Sequence, residues 1–234
     1  MLKVVENAVP VACWSCSVAH NESTLFCPDC SKIQPPSRGD YFSVFGLQPR
    51  LNIDLSALEQ EFHRLSRKLH PDRFARASEN EKQWSLADTS LLNDAYRTLK
   101  DPLRRTEYLL KLEAAEMGGL AADRSEAAFV RNQEKVPTDL LEEVFDLNMQ
   151  LEEMRMAKTT GQEDPKLKAS LLKAKEKFEE QIDAVDRDLR AQWATWDAGD
   201  VAARQTAQRA MIALLDRRRY LSNLVRDVTE IMGD

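Results

Sequence analysis

The chain has 234 residues, 43 % of them hydrophobic, and a formal net charge of -6. That size accommodates one or two buried cores. No run approaches eighteen apolar residues, which excludes a membrane-spanning helix, and the acidic balance argues against broad nucleic-acid binding, which needs a basic domain or stripe.

The opening Met1 to Pro10, with Glu6 and only Lys3, matches neither a secretory signal nor an Arg-rich transit peptide. A bacterial cytoplasm is therefore the expected compartment, with a processed form in the mitochondrial matrix as the alternative. All four cysteines follow within the first thirty residues, as Cys13-Trp14-Ser15-Cys16 and Cys27-Pro28-Asp29-Cys30, ten residues apart. Two C-x2-C turns supply the four ligands of a tetrahedral ion. So short a segment cannot bury enough surface to fold alone, whereas a structural zinc contributes on the order of 10 kcal/mol. Zinc is the expected ion; a rubredoxin-like iron uses the same spacing, and a pair of redox dithiols is a third reading. His20, between the pairs, reads as an ordinary loop histidine. With only Lys32 and Arg38 near its end, the knob fits a structural or partner-docking role better than a nucleic-acid one. Ser31 to Gly39, containing Pro35-Pro36, reads as a linker, so the first domain covers residues 1–38.

Asp40 to Leu47 reads as a short capped helix ending near Gly46. From Leu55 to Leu69, apolar residues recur at Leu55, Leu58, Phe62, Leu65 and Leu69, one face of a helix, with Arg64, Arg67 and Lys68 on the other. Pro71 lacks an N–H and biases His70 away from the α region, so the helix ends there and leaves His70 and Asp72 in a solvated loop. A second periodic segment, about Lys82 to Lys100, carries Leu92, Ala95, Tyr96 and Leu99 on one face and can pack antiparallel on the first. This order of short helix, long helix, His70-Pro71-Asp72 and long helix resembles the J-domain, the module that stimulates ATP hydrolysis by DnaK-type chaperones.

Asp101 as N-cap and Pro102 at the first helical position begin a further helix through Tyr108-Leu109-Leu110. The run Leu92-Asn93-Asp94-Ala95-Tyr96-Arg97-Thr98-Leu99, this Asp-Pro start and Tyr108-Leu109-Leu110 resemble the HscB (Jac1-type) family of iron-sulfur co-chaperones. Its subset with an N-terminal tetracysteine knob resembles nearly the whole chain. The J-domain is placed at residues 39–113. Asn93, Tyr96, Asp101 and Arg105 are read as packing and capping residues.

Residues 114–136, with Gly118-Gly119 and mixed charge, read as a linker. From 137 to 234 the pattern is helical, with breaks at Thr159-Thr160-Gly161 and Ala198-Gly199-Asp200, which predicts an antiparallel three-helix bundle. Leu167, Leu171, Ala174, Phe178, Ile182, Val185 and Leu189 form the middle helix's core stripe; Leu214, Leu221, Leu224, Val228 and Ile231 form that of the last. In the first helix, Leu140, Val144, Leu147, Leu151 and Met154 make one complete seam. Leu141, Phe145 and Met149 make a second, about 100° away, which packs on other helices or is exposed for a client protein. The fold class is thus mainly α: a zinc-ribbon-like knob, a helical J-domain and a three-helix bundle.

The resemblance implies that His70, Pro71, Asp72, Arg64, Arg67 and Lys68 engage an HscA-like, DnaK-type chaperone. It also implies that Leu141, Phe145, Asp146, Met149 and Tyr220 contact an IscU-type iron-sulfur scaffold. Two departures stand out: Glu142 occupies a position that is usually aliphatic, and Met149 one that is often acidic. With no phosphate loop and three histidines in no hydrolytic arrangement, the chain is expected to be no enzyme but a co-chaperone, with neither a nucleic-acid nor a membrane partner. Two alternatives are a J-protein serving another client and a zinc-ribbon nucleic-acid adaptor.

Overall fold

The structure, a computed structural model, describes residues 11–20, 24–36, 39–116, 138–161 and 164–233. It divides into two compact units, Met1–Glu113 and Ala114–Asp234. The opening decapeptide and Gly118-Gly119 lie outside the described residues. The helix that starts at Pro102 continues to Glu116, three residues into the span read as a linker.

The first unit opens with the knob. Strand β1 (Val11–Ala12) pairs antiparallel with β2 (Ala19–His20), and Phe26 bridges Ile33 farther on. Both cysteine pairs fold into the same turn. The Ser17 amide donates to the Cys13 carbonyl and the Ser31 amide to that of Cys27, both at 2.9 Å. Both serines adopt the left-handed conformation, with φ of 61° and 58°.

Helix α1 (Tyr41–Val44) is capped by Asp40, whose carboxylate accepts from the Phe42 and Ser43 amides. Gly46, at φ 63°, turns the chain away. Helix α2 (Leu55–Leu69) starts at Asp54 and ends at His70, as Pro71 requires. Leu58, Leu65 and Leu69 are buried, but Leu55, at the open end of the stripe, is 45 % exposed. Pro71–Phe74 forms a 3-10 turn rather than an open loop.

Helix α3 (Glu79–Lys100) begins a turn earlier than its apolar periodicity indicates, because Ser78 and Glu81 form a reciprocal capping box. Its buried residues, Glu81, Ser85, Asp88, Leu92, Ala95 and Leu99, follow alternating four and three spacing, polar in the first half and apolar in the second. Phe62 of α2 stacks on Tyr96 of α3 at 4.1 Å. Helix α4 (Pro102–Glu116) is capped by Asp101 and closes on α1 through Tyr108, which stacks on Tyr41 at 4.5 Å. Arg105 is buried; its Nε donates to the Leu51 carbonyl at 2.9 Å, and its Nη1 donates to the Leu99 carbonyl.

The second unit is a bundle of α5 (Leu141–Thr160), α6 (Pro165–Ala198) and α7 (Val201–Met232). A 3-10 turn, Thr138–Leu140, leads into α5. Leu140, Val144, Leu147, Leu151 and Met154 are all buried, against Leu171, Phe178, Leu221 and Val228 among others. Gly161, at φ 70°, ends α5. Gly199 follows α6 where an added Cβ would stand 2.3 Å from the Thr195 carbonyl oxygen. The two long helices run on past α5, sealed by buried Trp193, Trp196, Ala207, Met211 and Leu215. Among the described residues no helix is long and apolar enough to cross a membrane.

Candidate functional site

Three surfaces gather the candidate residues. In the knob, the sulfurs of Cys13, Cys16, Cys27 and Cys30 lie within 4.8 Å of one another. Cys13 and Cys30 are 3.6 Å apart, and Cys16 and Cys27 are 3.7 Å apart. A tetrahedral ion with about 2.3 Å bonds to sulfur sets its ligands about 3.8 Å apart, so the donor set fits zinc or iron of that geometry. The groups around the sulfurs fit as well. The Ser15 amide and the Gln34 Nε2 each donate to the Cys13 sulfur at 3.4 Å, and the Cys30 amide donates to Cys27 at 3.5 Å.

Burial opposes ionisation of Cys13, but the Cys16 and Ser15 amides outweigh it and hold the thiol down to about 6. At Cys16 the Val18 amide favours the thiolate, yet burial and the other three thiols push it up to about 12. Four thiols this close cannot all be charged without a cation among them. His20 is not the bystander its position suggests. Its Nε2 lies 3.4 Å from the Cys27 sulfur and 3.3 Å from Asp29 Oδ2, which joins it to the cluster's edge.

The second surface is the end of α2. The His70 side chain is 58 % exposed and that of Asp72 91 %. His70 Nδ1 accepts from the Asp72 amide at 3.3 Å, so the turn folds on its own histidine. Beneath it, the Leu69 carbonyl accepts from Ser85 Oγ at 2.6 Å. The basic face differs from the one the sequence implies. Arg64 is chelated by Glu61, one turn back, with Nε at 2.6 Å; that hydrogen bond holds the Glu61 carboxyl down and the Arg64 guanidinium up. Arg64 therefore presents little net charge. Arg67 donates to the His63 carbonyl at 3.2 Å, and the Lys68 ammonium lies 5.8 Å over the Phe26 ring of the knob. Exposed Arg73, within the turn, and Arg76, just beyond it, carry the positive charge onward. A count of bases past Pro71 would have found them.

The third surface is on α5. Leu141, Phe145 and Met149 are 52 %, 65 % and 60 % exposed; Leu141 and Phe145 each follow directly on a residue of the completely buried seam, and Met149 falls midway between Leu147 and Leu151, on the opposite side of the helix. Asp146 is also exposed. Tyr220 is only half-exposed and packs against the bundle core, where burial raises its hydroxyl. Arg217 on α7 donates to Asp139 at 2.7 Å. Tyr220, one turn farther along α7, therefore stands level with the first turn of α5.

The chain is similar to known proteins in both sequence and fold. Residues 40–108 match the DnaJ domain family. The chain is 36 % identical over 115 residues to the iron-sulfur cluster co-chaperone protein HscB of Mus musculus, covering 47 % of this chain and 49 % of the mouse one. It is 47 % identical over 78 residues to the co-chaperone protein HscB homolog of Vibrio cholerae, covering 33 % and 46 %. These alignments span about half the length of the curated relatives. The crystal structure of human co-chaperone protein HscB superimposes with a TM-score of 0.64 at 25 % identity, over 94 % of this chain and 98 % of that one.

Proposed function

We propose that this chain, which matches the DnaJ domain family over residues 40–108 and is similar to HscB proteins in sequence and fold, is a J-domain protein of the HscB family with a tetracysteine knob, and that it delivers an iron-sulfur scaffold of the IscU type to a DnaK-type, HscA-like chaperone and stimulates that chaperone's ATPase. In this reading residues 1–38 are the metal-binding knob and its linker, 39–113 the J-domain, 114–136 a linker, and 137–234 the scaffold-binding bundle.

His70, Pro71 and Asp72 engage the ATP-bound chaperone, with Arg67 and Lys68 supplying the positive face beside them; Arg64 contributes through its pairing with Glu61. Leu141, Phe145, Asp146 and Met149, with Tyr220 alongside, hold the scaffold. ATP hydrolysis belongs to the chaperone. This chain makes and breaks no bond and acts by coupling: client on one surface, ATPase on another, a free energy shared between them. The four cysteines hold a structural zinc. Neither nucleic acid nor membrane takes part, and the working compartment is a bacterial cytoplasm or the mitochondrial matrix.

The observation that carries the reading is the pairing of two seams on α5, one wholly buried and one, Leu141 with Phe145 and Met149, more than half exposed. A bundle already complete without the second seam leaves it for a partner. Calorimetric titration with an IscU-type scaffold tests this. Wild type binds in the micromolar range, and the folded Leu141→Ala, Phe145→Ala double variant does not. Absence of wild-type binding would leave a J-protein with another client.

A further inference from the structure

The knob is fastened to the helices of its own unit at three points. The Lys32 ammonium meets the Glu81 carboxylate at 3.1 Å; the Glu81 side chain is 8 % exposed and also closes the Ser78 capping box. Trp14 sets its ring edge-on to Trp84 at 5.6 Å, and is itself fixed by Nε1 donating to the Ile33 carbonyl at 2.7 Å. Phe26 lies under the Lys68 ammonium. On the knob side, Trp14 follows Cys13, Phe26 precedes Cys27, and Lys32 comes two residues after Cys30. On the helical side, Lys68 is two residues before His70, and Glu81 and Trp84 lie in the first two turns of α3.

We propose that the metal-loaded knob is a clamp on the α2–α3 junction, so that metal occupancy and the order of the His70–Asp72 turn are thermodynamically linked. The proposal rests on reading the four thiols as a metal site. An emptied knob has no core of its own to keep its two cysteine turns together, so it cannot present Trp14, Phe26 and Lys32 at once. Glu81 then loses its cation while remaining inside the helix cap, and the start of α3, immediately after the turn, loosens. Linkage is reciprocal: whatever order the ion lends to α3, α3 returns as affinity for the ion. The positioning residues of the clamp are therefore Trp84 and Lys32, neither of them a ligand.

The test uses the full chain, titrated with Co(II) and then with Zn(II) against a chromophoric chelator. Trp84→Ala removes a half-exposed ring on α3 and no sulfur, and is expected to weaken metal binding roughly three- to tenfold. Lys32→Ala, at a half-exposed ion pair, is expected to weaken it roughly two- to fivefold, with Lys32→Arg restoring it. In wild type, amides of residues 79–86 exchange faster after metal removal than before. Wild-type affinity in both alanine variants, or exchange at 79–86 indifferent to metal, overturns the clamp while leaving the metal site standing. A wild-type chain that gives no thiolate-to-cobalt absorption and takes up no zinc overturns the metal site, and the clamp with it.

Discussion

Ser85 and Leu69 lie sixteen residues apart in sequence and are joined by a 2.6 Å hydrogen bond, hydroxyl to carbonyl, inside the first unit. Leu69 is the last residue of α2, and its carbonyl is one of those the helix leaves without an intrahelical donor. Ser85 supplies that donor from α3, with Thr89 more distant at 3.5 Å. The backbone from which His70 departs is therefore held from below. Ser85→Ala should cost about 1–3 kcal/mol in urea unfolding and speed amide exchange from His70 to Phe74; an unchanged exchange rate there would mean the turn holds itself.

His70→Gln should leave stability within about 0.5 kcal/mol of wild type, since the side chain is largely exposed and its internal bonds are to its own turn. Stimulation of a DnaK-type ATPase should nonetheless be abolished. A folded variant that still stimulates would remove the J-domain from the mechanism.

Asp88 is fully buried with neither carboxylate oxygen hydrogen-bonded. Burial lifts its carboxyl from the ordinary 3.8 to about 7. Between those values the folded chain holds a proton that the unfolded chain has released, so stability falls as pH rises through this window and levels off above about 7. Asp88→Asn should flatten that slope and raise stability at pH 8 by about 1–3 kcal/mol. Denaturant midpoints from pH 4 to 8 read both effects, and a parallel pH profile in the variant would mean the carboxyl finds solvent.

Leu147→Ala and Leu141→Ala test the two seams of α5 against each other. Leu147 is 1 % exposed and its truncation should cost about 2–4 kcal/mol. Leu141, 52 % exposed, should cost less than about 1 kcal/mol. Equal losses in thermal or denaturant unfolding would mean that Leu141 is buried in solution.

Most of the architecture is legible in short patterns, because helix ends are written locally. Asp40, Asp101-Pro102 and Gly161 mark starts and stops that depend on a few neighbouring residues. The apolar half of the α3 seam, Leu92, Ala95 and Leu99, is visible by periodicity; Glu81, Ser85 and Asp88 continue it at the same spacing but look like a solvated face. Burial of those three follows from partners distant in sequence, such as Lys32, 49 residues from Glu81, or from none. Trp193, Trp196 and Met211 escape for a related reason: where, among the described residues, α6 and α7 have only each other, the buried stripe narrows and its period is harder to see. The Glu61–Arg64 pair, three residues apart, was within reach of a spacing argument that counted charges of both signs.

Helices α6 and α7 have 34 and 32 residues against 20 in α5, so the hairpin outreaches α5 by about 20 Å. Glu143 bonds Lys177 and Asp139 bonds Arg217, near the middle of each long helix, which puts the overhang at the Leu141 end of α5. Among the described residues three helices become two at that level, and the bundle acquires a step. Leu141, the first residue of α5, stands at the tread and exposed Phe145 one turn behind it, with the hairpin rising beyond as a riser. A body seated there meets a corner rather than a plane, and a corner dictates its orientation as well as its grip.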